Sequence, residues 1–293
     1  EGPDGLGHGD AHRDFRDPEI LPDQVNPDCG QSEKNGRDRE AERQQDKQPA
    51  DEDAADEQGI VGEQGHRQGK QRKTADEKEG ARCEQDRVKM GMAGTLKDYV
   101  LETSGGTATT TSSLGGYAED PADIINYVSK HDNETLWDQF NYVLPATLTL
   151  QERVRAQNIG IGIPLMSQGI PFLQMGGDLL RSKSMDRNSY DSGDWFNYVD
   201  FTYSTNNWDI GLPPAQDNEA RWEEMRALFG DPDRDAGMQD IEFASSVFNE
   251  LLSIRAGSPL FRLTTGQAII DRVGFHNIGR RQQQGLIAMS IDD

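Results

Sequence analysis

A parallel α/β fold is predicted for the sequence downstream of about residue 90, on three observations. Ile124-Ile125-Asn126-Tyr127-Val128 is a short β-branched and aromatic run that ends in the polar cluster Ser129-Lys130-His131-Asp132-Asn133. A capped helical stretch follows over about residues 150–166. A second apolar run, Ile170-Pro171-Phe172-Leu173-Gln174-Met175, then stops at Gly176-Gly177-Asp178. Strand, helix and strand with polar residues at the strand ends is the pattern of a parallel sheet crossed by helices.

The residues upstream have a different composition. Phe15 is the only aromatic among residues 1–98, and all four Trp lie downstream. The stretch EKNGRDREAERQQDKQPADEDAADEQ offers too little apolar surface to offset the entropy of ordering it, so residues 1–88 are expected to be disordered. The formal net charge of −22 argues against nucleic acid as a partner, since phosphate binding needs clustered Lys and Arg. No apolar run reaches the length of a membrane span, and residues 1–30 contain no signal-peptide core. The two cysteines, Cys29 and Cys83, both fall in the low-complexity part, without the spacing of a zinc site. The fold is therefore expected not to depend on disulfides.

From Met90 the elements come in order. MAGTLKDYVL has an apolar rhythm, and TSGGTATTTSSLGGY reads as a Gly/Ser/Thr loop. Ile124–Val128 is expected to be a buried strand. Thr149-x-x-Glu152 is a capping box that starts a helix at about Leu150 and carries it to Met166. The second buried strand covers residues 170–175. Residues 178–215, rich in Asp, Asn, Ser, Tyr and Trp, form a long loop of the kind that usually carries function. AQDNEARWEEMRALFG reads as a helix capped by Gly230. Ile241, Ala244, Val247, Phe248, Leu251 and Ile254 recur at helical spacing and mark a second helix. Ala268-Ile269-Ile270 and Leu286-Ile287-Ala288-Met289 are strand-like, and the chain stops at Ile291-Asp292-Asp293 in what reads as mid-domain.

Two long runs, YVSKHDNETLWDQF and MSQGIPFLQMGGDLLRSKSMDRNSYDSGDWFN, resemble bacterial pullulanases, the debranching members of the α-amylase clan. The resemblance extends over about residues 86–293. It implies a (β/α)₈ barrel whose seventh and eighth strands are the two strands above, with residues 89–258 as the last part of the barrel. Residues 259–293 are then the start of an all-β C-terminal domain. It also implies retaining hydrolysis of α-1,6-glucosidic branch linkages in pullulan, starch or glycogen. Retaining glycosidases use two carboxylates about 5–5.5 Å apart. The clan adds a third carboxylate and a histidine that grip the sugar at the reacting subsite. By resemblance, Asp132 is that transition-state-stabilising carboxylate and His131 its partner.

The nucleophile and the acid/base belong, by resemblance, on earlier strands. Residues 1–85 contain no strand ending in a G-x-R-x-D pattern and no Glu after an apolar run, so one carboxylate of the three is expected to be present. Those residues fit either an acidic linker or coding sequence read in the wrong frame. The resemblance further implies that Asn133, Arg181, Lys183, Arg187, Asn188, Asp194, Trp195 and Asn197 form part of the glucan cleft. No cofactor is required for the chemistry, and the family leaves room for a structural calcium whose ligands the sequence does not reveal. The complete parent is expected to be secreted or held at the cell surface, with its signal upstream of this chain. A non-catalytic α-glucan-binding protein and a degenerate chain without function are the alternatives.

Overall fold

The computed structural model describes residues 75–293. The expectation of disorder upstream, and Cys29 with it, lies outside the described residues. Within them, the expected boundary at residue 88 is corrected by the first helix, α1 (Ala75–Met92), which begins inside the stretch assigned to disorder. Polar contacts to the far end of the chain hold it. Gln85 Nε2 donates to the Leu286 carbonyl at 2.8 Å, and Gly285 N donates to Gln85 Oε1 at 2.9 Å. Asp86 accepts from Gln282 Nε2 at 3.1 Å and from Ser104 N at 2.6 Å. The buried Lys89 ammonium bonds Gln282 and lies 3.3 Å from Asp86 Oδ1. Burial lowers the Lys89 pKa, and Asp86 opposes that shift. Cys83 is buried on the same helix and disulfide-bonded, so the expectation of an ordered part without disulfide-bonded cysteine is also corrected.

β1 (Val100–Glu102) and β2 (Ala108–Thr110) form an antiparallel hairpin where a loop was expected over the second strand. The Thr-rich segment 107–111 explains the difference, because β-branched residues suit a pleated ladder. Next comes β3 (Ile125–Asn126), then the helices α2 (Leu136–Val143) and α3 (Leu150–Met166), then β4 (Ile170–Pro171). β3 and β4 pair in parallel, Ile125 opposite Ile170 and Asn126 opposite Pro171. The strand–helix–strand unit is as expected, but the strands are shorter than their apolar runs and are not buried. Ile125 is 55% exposed, Tyr127 51%, Ile170 48% and Phe172 45%. A two-stranded sheet needs a further layer to cover this face, and none of the described residues supplies it.

The predicted capping box stands at the predicted place. Thr149 Oγ1 accepts from Glu152 N at 3.4 Å, and Glu152 Oε2 accepts from Thr149 N at 2.9 Å. Thr149→Ala is expected to cost about 1 kcal/mol, read as a lower midpoint in urea at an unchanged slope. Gly160 lets α3 close on α2, since a Cβ there would lie 2.9 Å from Leu136 Cδ2. Before β4 the chain turns at Gly169 with φ +91°.

The long loop contains one short helix, α4 (Asp194–Asn197). The helix expected after it is broken into α5 (Ala215–Asn218) and α6 (Trp222–Phe229) by a tight turn at Glu219–Arg221, with Gly230 as the cap. α7 (Met238–Gly257) follows the predicted spacing, with Ile241 and Ala244 buried. Its Phe248 and Leu251 pack on Leu136, Ile161 and Leu165 of the α2–α3 pair. A larger core gathers Trp137, Val154, Leu180, Met185, Trp208 and Ile241.

At the C-terminal end the expected strand at Ala268–Ile270 is corrected to a helix, α8 (Gly266–Arg272), and the strands are β5 (Val273–Phe275) and β6 (Met289–Ile291). Thr265 caps α8 by accepting from Ala268 N at 3.2 Å, and Asp120 Oδ1 accepts from Gly266 N at 2.7 Å. Residues 259–293 share one core with 92–118: Leu96, Tyr99 and Leu101 pack against Ile269, Val273 and Phe275. Tyr99 Oη donates to the Val273 carbonyl at 2.8 Å, and burial pushes its phenol up to about 12. A phenol raised in the folded state stabilises below its unfolded value and loses that stabilisation as pH rises through its folded one. Stability is therefore expected to fall between about pH 10 and 12. Tyr99→Phe should flatten that slope in an alkaline denaturation series.

Candidate functional site

The polar segments after β3 and β4 leave their parallel strands at the same end. His131 and Asp132 sit in the turn between β3 and α2, where Asn133 has φ +59°. Thr135 ends that turn by accepting from Asp138 N at 3.1 Å as the cap of α2. His131 Nδ1 is 3.1 Å from Asp132 Oδ1, and Lys130 Nζ is 3.0 Å from Asp132 Oδ2. The Lys130 hydrogen bond, helped by the charges of His131, Lys130 and Lys183, holds the Asp132 carboxyl below its usual range against the opposing desolvation. Both side chains are open to solvent, His131 at 82% and Asp132 at 54%. They are free to meet a ligand.

A cavity of about 340 Å³ joins this turn to the loop after β4, with His131, Arg181, Lys183 and Asn197 among its walls beside Phe172 and Met175. Arg181 donates to the Asn197 carbonyl at 2.8 Å and to the Met175 carbonyl at 3.3 Å, and its Nε has no partner. Burial lowers its pKa, with Asp138 opposing. The Lys183 ammonium is buried and also has no partner. Desolvation lowers its pKa, and Asp138 and Asp186 oppose that shift. These cations and the His131–Asp132 pair can donate to and accept from hydroxyl groups, while the apolar wall can take the face of a sugar ring.

The remaining predicted residues divide into two groups. Asn197 lines the cavity, but its amide is committed within the loop, donating to the Ser189 and Gly193 carbonyls at 2.6 and 3.0 Å. Trp195, 67% exposed, donates from Nε1 to the Ile210 carbonyl at 3.1 Å, and the exposed Asp194 opens α4. Arg187 and Asn188, expected in the glucan cleft, are exposed and not among the walls of this cavity. Arg187 N donates to Asn218 Oδ1 at 3.2 Å, and Asn188 Nδ2 to Asp217 Oδ2 at 2.7 Å. The cause is the buried Asp186, which accepts from Asn188 N, Ser192 Oγ and Asn218 Nδ2 and so ties this stretch to α5.

Two contributors were missed in the sequence. Lys130 holds Asp132, and its adjacency in Lys130-His131-Asp132 was a usable signal. Asp138 reaches the loop after β4, and nothing in the sequence marks it apart from a capping residue of α2. Among the described residues, no group of three or more His, Cys, Asp or Glu could hold a metal ion. No helix among them is long and apolar enough to cross a membrane.

The chain is similar to known proteins over most of its described residues. Residues 203–293 match the family of pullulanase-type alpha-1,6-glucosidases, C-terminal. The chain is 41% identical over 217 residues to a pullulanase of Klebsiella pneumoniae, a match covering 71% of this chain and 20% of the relative. It is 44% identical over 213 residues to the chloroplastic pullulanase 1 of Arabidopsis thaliana, covering 70% and 22%. The chain therefore spans about a fifth of the length of these relatives. In three dimensions it matches apo pullulanase from Klebsiella pneumoniae with a TM-score of 0.70 at 40% identity, over 73% of this chain and 24% of that one. The same Klebsiella enzyme complexed with maltotriose matches with a TM-score of 0.70, over 73% and 21%. In sequence and fold this chain is similar to part of the Klebsiella and Arabidopsis pullulanases, and its residues 203–293 match the C-terminal family of pullulanase-type alpha-1,6-glucosidases.

Proposed function

We propose that the chain carries the last part of a retaining α-1,6-glucosidase barrel, with the loops after β3 and β4 forming one side of an α-glucan cleft. The observation that carries this reading is the cavity between those two loops, with His131, Arg181 and Lys183 in its walls and Asp132 beside His131. In a parallel barrel the loops after the strands are where the site is built. Asp132 then stabilises positive charge developing on the sugar ring, and His131 grips a neighbouring hydroxyl. Both contacts strengthen as the ring distorts towards the transition state. The substrates are branched or mixed-linkage α-glucans such as pullulan, starch and glycogen. The complete protein, on this reading, works outside the cell or at its surface.

In this chain the cleft binds and does not cleave. A non-catalytic α-glucan-binding role is the second reading, favoured by the exposed Trp195 on the same loop. Three packed cores speak against a degenerate chain without a fold. Titration with maltotriose, followed by changes at the His131 ring in NMR, tests the proposal. Binding is expected, and His131→Ala should weaken it roughly tenfold, the equivalent of a hydrogen bond of about 1.4 kcal/mol. Maltotriose that leaves His131 unperturbed at millimolar concentration would sink the glucan cleft.

A further inference from the structure

The turn that carries Arg181 and Lys183 is held in an unfavourable backbone conformation. Leu180, Ser184 and Met185 have φ values of +55°, +50° and +63°, a region that L side chains seldom enter. Such a turn persists only where its surroundings over-determine it. Here the determinant comes from α2. Asp138 is fully buried, and its carboxylate accepts from Ser182 Oγ at 2.5 Å and from Lys183 N at 2.8 Å. Ser182 Oγ in turn accepts from Ser184 N at 2.8 Å, so one carboxylate organises three consecutive residues of the turn.

The same helix begins directly after the His131–Asp132 turn. Asp138 N donates to Thr135 Oγ1, the cap that ends that turn. One residue thus touches both loops that wall the cavity. Lys183, 1% exposed and with no hydrogen-bond partner for its ammonium, lines the cavity together with His131. A buried ammonium with unused donors is costly unless a ligand or water meets it, which makes its position a matter of function rather than packing.

We infer that Asp138 is a positioning residue, which fixes the 180–185 turn so that Lys183 stays in the wall of the cavity that His131 also lines. The inference rests on the glucan-cleft reading for its purpose but not for its test. It does not place Asp138 in contact with substrate.

The test is the titration of Lys183 in the full 293-residue chain, followed by NMR with carbon-13 at the lysine ε-carbons. Four charged groups act on this ammonium: Asp138 first, then Asp186, Arg181 and Glu134. Asp138→Asn removes one negative neighbour. If the turn stays in place, the loss of that charge must lower the Lys183 midpoint further. If Asp138 positions the turn, the neutral amide cannot accept both hydrogen bonds, the turn relaxes, and the ammonium reaches water. The midpoint then rises towards the ordinary lysine value. The two outcomes have opposite sign. Ser182→Ala keeps the Asp138 charge and removes the hydroxyl, so it should also raise the midpoint, and it decides the matter if Asp138→Asn does not fold. A fall in Asp138→Asn, or an unchanged midpoint in Ser182→Ala, overturns the inference. Maltotriose supplies a separate arm. Perturbation of His131 in both proteins but of Lys183 only in the wild type is the expected result. Loss of the His131 response in the wild type would count against the glucan cleft, while the ligand-free titration would still decide the role of Asp138.

Discussion

The purified chain is expected to release no reducing sugar from pullulan above background. The Asp132 side chain is 54% exposed and Lys130 holds its carboxyl below the usual carboxylate range, so it is a poor proton donor to a leaving oxygen at neutral pH. Retaining hydrolysis needs a nucleophile and a general acid about 5–5.5 Å apart. By family resemblance both belong to strands earlier than β3, and residues 1–85 show no motif that would hold them. General acid–base help alone is worth about 10²–10⁴-fold, and the covalent step is lost with the nucleophile. The assay is reducing-sugar release, with Asp132→Asn as control. Release that disappears in the control would show that the catalytic pair is present and overturn the proposal of an inactive segment.

The second large effect concerns the sheet. Ile125 and Ile170 are paired across β3–β4, and Tyr127 and Phe172 continue the same face with ring centroids 6.2 Å apart, edge to face. All four are about half exposed, and each strand has an edge left unpaired by the described residues. An apolar face bordered by open strand edges is a template for pairing with another chain. The chain is therefore expected to self-associate, running in size-exclusion chromatography well ahead of a 32.6 kDa monomer. The net charge of −22 opposes this, so association should increase with salt as the repulsion is screened. Tyr127→Lys combined with Phe172→Lys should return most of the material to the monomer position. An unchanged elution in high salt, with the wild type already monomeric, would show that the face is covered in solution.

Local rules made several elements legible. The capping box gave the first residue of α3, because Thr149 and Glu152 satisfy each other across one turn. The spacing of Ile241, Ala244, Phe248 and Leu251 placed α7. The polar runs at 129–133 and 178–215 marked the loops that follow the two strands, since polar clusters end apolar strands. Other elements depended on distant partners. α1 has no apolar stripe to announce it, and its buried Asp86 and Lys89 are satisfied by each other and by the distant Gln282 and Ser104. The run Ala268–Ile270 is too short for periodicity to separate strand from helix. The Thr265 cap and the Asp120 carboxylate decide it.

Among the site residues the division is similar. The sequence by itself determined the order of strand, helix and strand and the resemblance to pullulanases, because these rest on contiguous residues. Only the tertiary structure decided that Lys183 lines a cavity with His131 while Arg187 and Asn188 turn towards α5. It alone revealed that Asp138 bridges the two loops and that residues 259–293 share a core with Leu96, Tyr99 and Leu101. The physical reason is one of range. Capping and periodicity act over one or two turns of chain, whereas a buried polar group is stable only where its partners arrive, and those partners come from segments the sequence does not place beside it.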